Sequence, residues 1–282
     1  MRDVIKQFGI FAVVLTVCSP VPGLAQQTTQ QTNLPAPAGG LLVSPSYVLF
    51  DGRVRSKSLL LSNRGVTTET YRISIVNRLQ QTDGQLVPAD KPPEGEGFAG
   101  SLVRYAPHEV VLTPDKPQTV RLLLQLPADL PDGEYRSHIL FQQVPTEAPS
   151  DSVPLASASG LSVSIRAVFG VTVPLIVRKG ELQASASLSD LRLTRLAEDQ
   201  PALTLRVNRA GSRSLRGDLA VLLDGEPAGQ LKQVNVFLST PYREVVVPLT
   251  TKGEIKGHRI SVRFNEDEEI PGAATATQTL AP

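Results

Sequence analysis

The longest alternation of apolar and polar positions runs from Leu161 to Val177, where every odd-numbered residue is apolar. A period of two residues predicts a β-strand with one buried face. At about 3.3 Å per residue this strand would be ~55 Å long, whereas ordinary strands are roughly 17 to 20 Å. Two interpretations stay open: an ordinary hairpin strand bent at Gly170, or a strand of which one part serves another chain.

The even-numbered positions divide this segment into two halves. Ser162, Ser164 and Arg166 are polar, whereas the even positions from Val168 onward are mostly not. The second half, Val168–Val177, is therefore predicted to be buried on both faces and to connect two domains. The first half follows a loop that is rich in Ser, Pro and Ala and has little to pack, so it is the half that is free to pair elsewhere.

Short alternating runs separated by turn residues make up most of the remaining chain, and helical periodicity is almost absent, which is typical of an all-β protein. The strands predicted before the long segment are Leu41–Phe50, Lys57–Ser62, Thr68–Arg78, Leu102–Tyr105, Glu109–Thr113, Gln118–Leu126 and Gly133–Val144. Those predicted after it are Leu182–Thr194, Ala202–Asn208, Leu215–Leu223, Gln230–Leu238, Arg243–Leu249 and His258–Phe264. Such numbers of strands predict two immunoglobulin-like β-sandwich domains, at 41–178 and 179–270.

The first 25 residues resemble a secretory signal peptide. Charged residues precede an apolar run from Phe8 to Val17, and a cleavage-like site ends at Ala25. The run is too short to span a membrane, so we expect the chain to be exported and cleaved near Ala25. Cleavage would remove Cys18, the only cysteine, and leave a chain without disulfides. A lipid anchor on Cys18 is the alternative, disfavoured because Val17 is bulkier than the residue usual before such a cysteine.

Composition narrows the function classes. The formal net charge is +1, which disfavours a nucleic-acid surface. Residues 26–40 and 271–282 are poor in large apolar side chains, so both are predicted to be disordered tails. A core of ordinary size must hold the remainder together, because no disulfide would do so.

Catalytic and metal-binding patterns are missing from the sequence. The three histidines, His108, His138 and His258, lie in no recognised motif, and the mature chain would have no thiol nucleophile. The acidic run Glu266–Glu269 lacks the spacing of a calcium loop, so it is interpreted as a solvated tail. We therefore predict no enzyme activity, no catalytic residue, no cofactor and no metal site.

The order of several short motifs carries a resemblance over Leu41–Phe264. These motifs are Phe50-Asp51-Gly52, Ser62-Asn63, Leu112-Thr113-Pro114, Gln118-Thr119-Val120-Arg121-Leu122, Leu130-Pro131-Asp132-Gly133-Glu134-Tyr135, Ile139-Leu140-Phe141 and Val144-Pro145. In this order, and together with the export signal, they resemble the PapD-like periplasmic chaperones of the chaperone-usher pathway. The resemblance implies two sandwiches in a boomerang arrangement, pilus or fimbrial subunits as partners, and delivery to an outer-membrane usher.

The resemblance also implies a use for the long strand. Such chaperones lend their last first-domain strand to an incomplete subunit, which is β-strand addition between proteins. The implied subunit-binding side chains are Leu161, Val163 and Ile165, with Ala167 as a weaker fourth. Each buried side chain of the larger kind is worth roughly 1.5 to 3 kcal/mol.

The departure from the family lies at the anchor for the subunit's carboxylate, where the family has two basic residues. The matching positions here are Tyr47 and Phe169, and neither is basic. Arg166 is the candidate for a displaced anchor, and the hydroxyl of Tyr47 is a second candidate. Each also has a plain structural interpretation, as a solvent-facing arginine and as a packing aromatic.

A second implied feature is an interdomain salt bridge. Glu134 matches the family's acidic residue, with Arg121 or Arg178 as its possible partner, although a plain surface pair is the alternative. The leading functional hypothesis is thus a periplasmic chaperone, which could dimerise when free because its strand edge is exposed. The alternative is an exported structural or adhesive protein built from immunoglobulin-like modules.

Overall fold

The computed structural model describes residues 40–145, 155–156, 162–163, 168–196, 200–250, 255, 257–267, 270 and 272–280. The predicted signal peptide, Cys18 and almost all of the N-terminal tail lie outside these ranges. Within the described ranges, no helix is long and apolar enough to cross a membrane.

The first sandwich contains two sheets whose strands alternate in the sequence. The strands up to residue 179 are β1 (Leu41–Ser44), β2 (Val48–Phe50), β3 (Ser56–Asn63), β4 (Glu69–Val76), β5 (Arg78–Gln80), β6 (Leu86–Pro88), β7 (Glu96–Gly97), β8 (Val103–Ala106), β9 (Glu109–Leu112), β10 (Gln118–Leu124), β11 (Gly133–Val144), β12 (Leu155–Ala156), β13 (Ser162–Val163) and β14 (Gly170–Lys179). A short 3₁₀ turn, Gly100–Leu102, precedes β8. One sheet has the order β1-β3-β10-β8 and the other β2-β14-β11-β4-β9, while β7 pairs with β11.

The alternating side chains of these strands fill one core between the two sheets. On β10, Val120 and Leu122 are buried and the intervening Arg121 is exposed. From the opposite sheet, Ile139 and Phe141 of β11 join the same cluster. This period-two division between core and solvent is what the sequence pattern predicted.

The second sandwich has its own core. Its strands are β15 (Ala184–Arg195), β16 (Pro201–Gly211), β17 (Leu215–Leu223), β18 (Glu226–Val236), β19 (Tyr242–Pro248), β20 (Ile260–Glu266) and β21 (Thr275–Leu280). They form the sheets β15-β16-β19 and β18-β17-β20-β21, packed around a cluster that includes Leu205, Val221 and Phe264. The prediction of an all-β chain with two sandwiches is confirmed, whereas the exact domain limits stay a prediction.

Two sequence expectations are wrong in this part of the chain. Residues 271–282 were expected to be disordered, yet Thr275–Leu280 forms β21 and pairs antiparallel with β20. The composition of this segment is polar, but its backbone closes the edge of a buried strand and Ala276 packs on the core. The expected strand Leu41–Phe50 is also interrupted, because the chain leaves one sheet after β1 and enters the other at β2.

The sandwiches also touch through a hairpin formed by β5 and β6. Gln80 of this hairpin accepts a hydrogen bond from the Phe237 amide, 3.0 Å, and donates to the Asn235 carbonyl, 3.2 Å. At its tip, the Glu244 amide donates to the Thr82 carbonyl over 2.6 Å. The hairpin belongs to the first sandwich in sequence and contacts the second one, so it braces the junction.

Candidate functional site at the β14 edge

The predicted single strand from Leu161 to Val177 is not continuous. Ser162–Val163 pairs with Leu155–Ala156 in a separate two-stranded unit, and the strand that enters the sandwich, β14, begins only at Gly170. This local pairing gives backbone N–H and C=O groups of Ser162–Val163 hydrogen-bond partners within the preceding loop. The alternation was correct, but its assignment to one long strand was wrong.

The edge of β14 is only partly covered. Its partner on one side, β11, pairs along all ten residues, while β2 on the other side pairs only with Leu175–Val177. Within the part of the chain that the structure describes, no strand pairs with Gly170–Pro174 on the β2 side. This stretch of β14 is therefore an open sheet edge, which is a template for an added strand.

The hydrogen-bond pattern shows which groups face the open edge. The Gln143 amide donates to the Phe169 carbonyl over 3.0 Å, which makes this residue pair a hydrogen-bonded one. Because such pairs alternate along an antiparallel ladder, the odd residues of β14 bond to β11 and the even residues point away. The N–H and C=O groups of Gly170 and Thr172 thus face the open edge. Pro174 is also an even-numbered residue and faces away from β11. Its missing N–H therefore removes no hydrogen bond from the β11–β14 ladder.

The entrance to this edge is apolar and exposed. Val168 is 45% exposed and Phe169 is 41% exposed, whereas Val173, Leu175, Ile176 and Val177 are buried. The prediction that Val168–Val177 is buried on both faces therefore holds only for its last part. The two exposed residues immediately precede β14, upstream of the residues that pair with β2.

Most of the predicted subunit-binding residues cannot be located. Leu161, Ile165 and Ala167 lie outside the described residues, as does the candidate anchor Arg166, and for Val163 only the backbone is described. Their assignment stays a prediction. The described chain resumes at Val168, so the open edge lies immediately downstream of the predicted donor residues.

Glu134 and Arg178 form a buried ion pair at the junction of the two sandwiches. The Arg178 Nε atom lies 2.9 Å from a carboxylate oxygen of Glu134, and both side chains are almost fully buried. Both residues belong to the first sandwich, and the link to the second is through Ser214. Its amide donates to Glu134 over 3.0 Å, and its carbonyl accepts from Arg178 over 3.0 Å. Arg121, the other suggested partner, is exposed on β10 and does not belong to this pair.

A second buried ion pair involves Arg213, the residue before Ser214. Arg213 donates to both carboxylate oxygens of Glu266, and its bond to Oε2 measures 3.0 Å. Glu266 is 3% exposed, and Asp267 pairs with Arg216. The interpretation of the acidic run as a solvated tail is therefore wrong for these two residues, because each carboxylate has a nearby arginine.

Tyr47 lies against the same group of charges. The Arg216 guanidinium carbon is 4.7 Å from the centre of the Tyr47 ring. The hydroxyl oxygen is buried without a hydrogen-bond partner, and this burial raises the pKa of Tyr47 above its ordinary value. A ligand could reach that oxygen only if the contact with the second sandwich opened. The role of Tyr47 as an anchor stays a prediction.

Sequence reasoning missed a third group at the junction. The buried Arg136 pairs with Glu96, with bonds of 2.5 and 3.0 Å, and its guanidinium stacks 4.4 Å from the centre of the Phe237 ring. Beside it lies His138, which is fully buried and has no hydrogen-bond partner on either ring nitrogen. Burial, reinforced by Arg136 and Arg78, lowers the pKa of His138 to about 3. The available sign in the sequence was that Arg136 and His138 are two residues apart, and side chains at that spacing lie on the same face of a strand.

Within the described ranges, no group of three or more His, Cys, Asp or Glu side chains is placed to hold a metal ion. The structure offers an open strand edge on β14, the same strand that carries Arg178 of the charged junction. Such an arrangement can bind an extended peptide segment through main-chain hydrogen bonds.

The fold and site together define an all-β protein of two sandwiches with an open strand edge on β14, the strand whose other end reaches the junction. No family model and no curated relative matches the chain. Among solved structures, the chain is similar to the YadV chaperone, with 14% identity, a TM-score of 0.43, and 86% of this chain and 100% of that one covered. It is also similar to the CupB2 chaperone of Pseudomonas aeruginosa, with 17% identity, a TM-score of 0.42, and coverages of 85% and 99%.

A third similar structure is the CsuC–CsuE complex of a chaperone and a tip adhesion subunit, from the archaic chaperone-usher Csu pili of Acinetobacter baumannii. Its identity is 12%, its TM-score 0.43, and the coverages are 86% of this chain and 98% of that one. At these identities and TM-scores, a function for this chain has to rest on its own residues and geometry.

Proposed function

We propose that this protein is an exported, non-enzymatic chaperone for pilus or related fibre subunits, which it binds by strand addition in the periplasm and delivers to an outer-membrane usher. The observation that carries the proposal is the open edge at Gly170 and Thr172. Four main-chain groups face outward there, and each hydrogen bond to a partner strand would contribute about 1 kcal/mol. The exposed Val168 and Phe169 add apolar area at the same place.

The predicted donor side chains extend this edge upstream. Leu161, Val163, Ile165 and Ala167 would fill the groove of an incomplete subunit, while Gly170 and Thr172 continue the main-chain pairing. The second sandwich would hold the edge in a fixed orientation through the Glu134–Arg178 pair and the β5–β6 hairpin. The resemblance in sequence motifs supports the same partner class.

The main-chain part of the proposal is tested with proline. Thr172→Pro removes an N–H that faces the open edge and leaves the ladder to β11 intact, so the variant should fold normally. We expect it to bind a co-produced candidate fibre subunit about tenfold or more weakly, because one hydrogen bond is lost and its partner is left unpaired. Val173→Pro is the control for damage to the sheet, since its N–H faces β11 and its loss should lower stability.

The measurement is co-purification from the periplasm, followed by the dissociation constant of the purified pair. A Thr172→Pro variant that folds and binds the subunit as tightly as the wild type would refute strand addition at this edge.

The side-chain part has a separate test. Replacement of Val163 and Ile165 by Asp should abolish the complex, because two charged groups would have to enter an apolar groove. Replacement of Ser162 and Ser164 by Asp is the matched control, since these positions alternate with the donor residues and should tolerate charge. Equal loss of binding in both double variants would contradict the assigned donor face.

The state of the free protein is a further part of the proposal. An uncovered apolar strand edge favours self-association, so we expect dimers of the free protein that dissociate when a subunit binds. Sedimentation of the free protein and of the complex measures this. Stable homo-oligomers that never release a protomer to a subunit would instead favour the structural or adhesive alternative.

A further inference from the structure

A cavity of about 550 Å³ opens on the outer face of the β18-β17-β20-β21 sheet in the second sandwich. Leu219 and Val221 of β17 are buried in the core. The alternate residues Ala220 and Leu222 therefore face outward, and they form an apolar floor. The volume is in the range of small-molecule sites. The remaining lining includes Gln230, Pro248, Arg263 and Asn265.

The strand register explains why the sheet is concave at Ala220. This residue lies opposite Gln230 on β18 and opposite Arg263 on β20, and such cross-strand neighbours are about 4.5 to 5.5 Å apart. Asn265 follows two residues after Arg263 and lies on the same face. A methyl group flanked by longer side chains on both sides leaves a depression in the sheet.

The wall of the cavity beyond β18 is held by backbone contacts. A β-bulge on β18 leaves Ala228 without a residue opposite it on β17, and the Ala228 carbonyl accepts a hydrogen bond of 2.8 Å from the Thr250 amide. A Cβ atom at Gly229 would lie 2.7 Å from the Pro248 carbonyl oxygen. Because only glycine lets the segment after β19 come this close, the wall is formed before any ligand binds.

The polar side chains beside the floor are unpaired within the described part of the chain. No carboxylate of the described residues lies within 4.0 Å of the Arg263 guanidinium, whereas Arg206 and Arg216 of the same sandwich each pair with an aspartate. The side chains of Gln230 and Asn265 form no hydrogen bond with a described group. Among the described residues that line the cavity, none is acidic. The cavity therefore offers a cation and two amide donors beside an apolar floor.

We propose that this cavity binds a small amphiphile, a carboxylate on an aliphatic chain of about eight to twelve carbons. The chain lies on Ala220 and Leu222, where its removal from water provides most of the affinity. The carboxylate accepts hydrogen bonds from Arg263 and from the side-chain amide of Gln230 or Asn265. Charge complementarity selects an anion, because Arg263 is the single charged side chain in the described lining. The site goes beyond the proposed function, since it lies on the second sandwich and needs no fibre subunit.

The test uses three small probes with the purified protein. Octanoate has both the chain and the charge, 1-octanol has the chain alone, and acetate has the charge alone. Isothermal titration calorimetry gives their dissociation constants for the wild type, for Arg263→Gln, and for Ala220→Phe, which fills the floor. Arg192→Gln is the matched control, because Arg192 is an exposed arginine on the opposite sheet that pairs with Glu244 over 3.5 Å.

We expect the wild type to bind octanoate about 100-fold or more tightly than acetate, because the longer chain leaves water. Octanoate should bind about three- to tenfold more tightly than 1-octanol, as for an ion pair that stays partly exposed. Arg263→Gln should abolish the preference over 1-octanol and leave 1-octanol binding unchanged. Ala220→Phe should weaken both probes about tenfold or more, and Arg192→Gln should change neither.

Amide NMR of the wild type locates the bound octanoate without any variant, so the test holds even if Ala220→Phe fails to fold. The amide resonances of Ala220, Gln230 and Thr250 should shift on titration. Those of Gly170 and Thr172 should not, because the open β14 edge is the other apolar place where a chain could adsorb.

Three results would overturn the assignment of this site. They are equal affinities for octanoate and acetate, a preference over 1-octanol that survives in Arg263→Gln, and resonance shifts that map to the β14 edge. Each of them leaves strand addition to a subunit untouched. Loss of subunit binding is measured separately, with the β14 variants, and does not affect this site.

Discussion

His138 offers a quantitative test of the junction, because it is a titratable side chain buried between two cations. Its ring makes an edge contact with Phe237 at a centroid distance of 6.0 Å, and neither nitrogen has a hydrogen-bond partner. The pKa is about 3 in the folded protein against an ordinary value of 6.5. Below pH 6.5 the unfolded chain therefore takes up a proton that the folded protein refuses, and the free energy of unfolding decreases as the pH falls toward 3.

The magnitude follows from the pKa difference. Each pH unit below 6.5 costs about 1.4 kcal/mol, so at pH 4 His138 alone should lower the free energy of unfolding by about 3 kcal/mol relative to pH 7. His138→Leu removes the titrating group without removing a hydrogen bond. We expect this variant to be within about 1 kcal/mol of the wild type at pH 7 and distinctly more stable than it at pH 4.

The assay is urea unfolding at pH 7, 5 and 4, followed by far-ultraviolet circular dichroism because the chain has no tryptophan. The two sandwiches are fitted as separate transitions if they unfold separately. His108→Gln is the matched control, since His108 is exposed. We expect this variant to lose as much free energy of unfolding between pH 7 and pH 4 as the wild type does. The reasoning is refuted if His138→Leu loses as much stability between pH 7 and pH 4 as the wild type does.

Three further predictions concern stability. Glu134→Gln should lower the free energy of unfolding by about 3 to 5 kcal/mol in denaturant titrations, because it leaves Arg178 buried without its counter-ion; an unchanged midpoint would contradict the pairing. Gln80→Ala should lower the free energy of unfolding by about 1 to 3 kcal/mol and speed up hydrogen exchange of the Phe237 amide, which donates to Gln80. Unchanged exchange would contradict the role of the hairpin in holding the two sandwiches together. Phe141→Ala should lower the free energy of unfolding by about 3 to 5 kcal/mol in the same titrations. Leu123→Ala is the control, because Leu123 is exposed and its truncation should change the free energy of unfolding little. An equally small change for Phe141→Ala would place Phe141 outside the core.

The period-two pattern was sufficient to predict much of the fold. Gly133–Val144 and Leu215–Leu223 were predicted with the bounds that β11 and β17 have. β17 alternates between buried and more exposed positions, whereas β11 is buried on both faces in its middle. The pattern could not distinguish a continuous strand from two strands in sequence, so the break before Gly170 was missed. Alternation records which face is buried, and it does not record which segment supplies the hydrogen bonds.

The candidate site was less accessible to sequence reasoning. The buried pairs of the junction join residues far apart in the chain, such as Arg136 with Glu96 and Arg213 with Glu266, and charged side chains are ordinarily predicted to be exposed. The open edge itself could be inferred only after the register of β2 against β14 was known.

The β5–β6 hairpin has a consequence for how proteins of this build can diversify. It touches the second sandwich at Gln80 and Thr82, while the side chains that fill either core lie elsewhere. A longer or shorter turn at Gly84 would change how the hairpin spaces the two sandwiches, and both cores would stay as they are. The angle between the two sandwiches can thus evolve separately from the stability of each one.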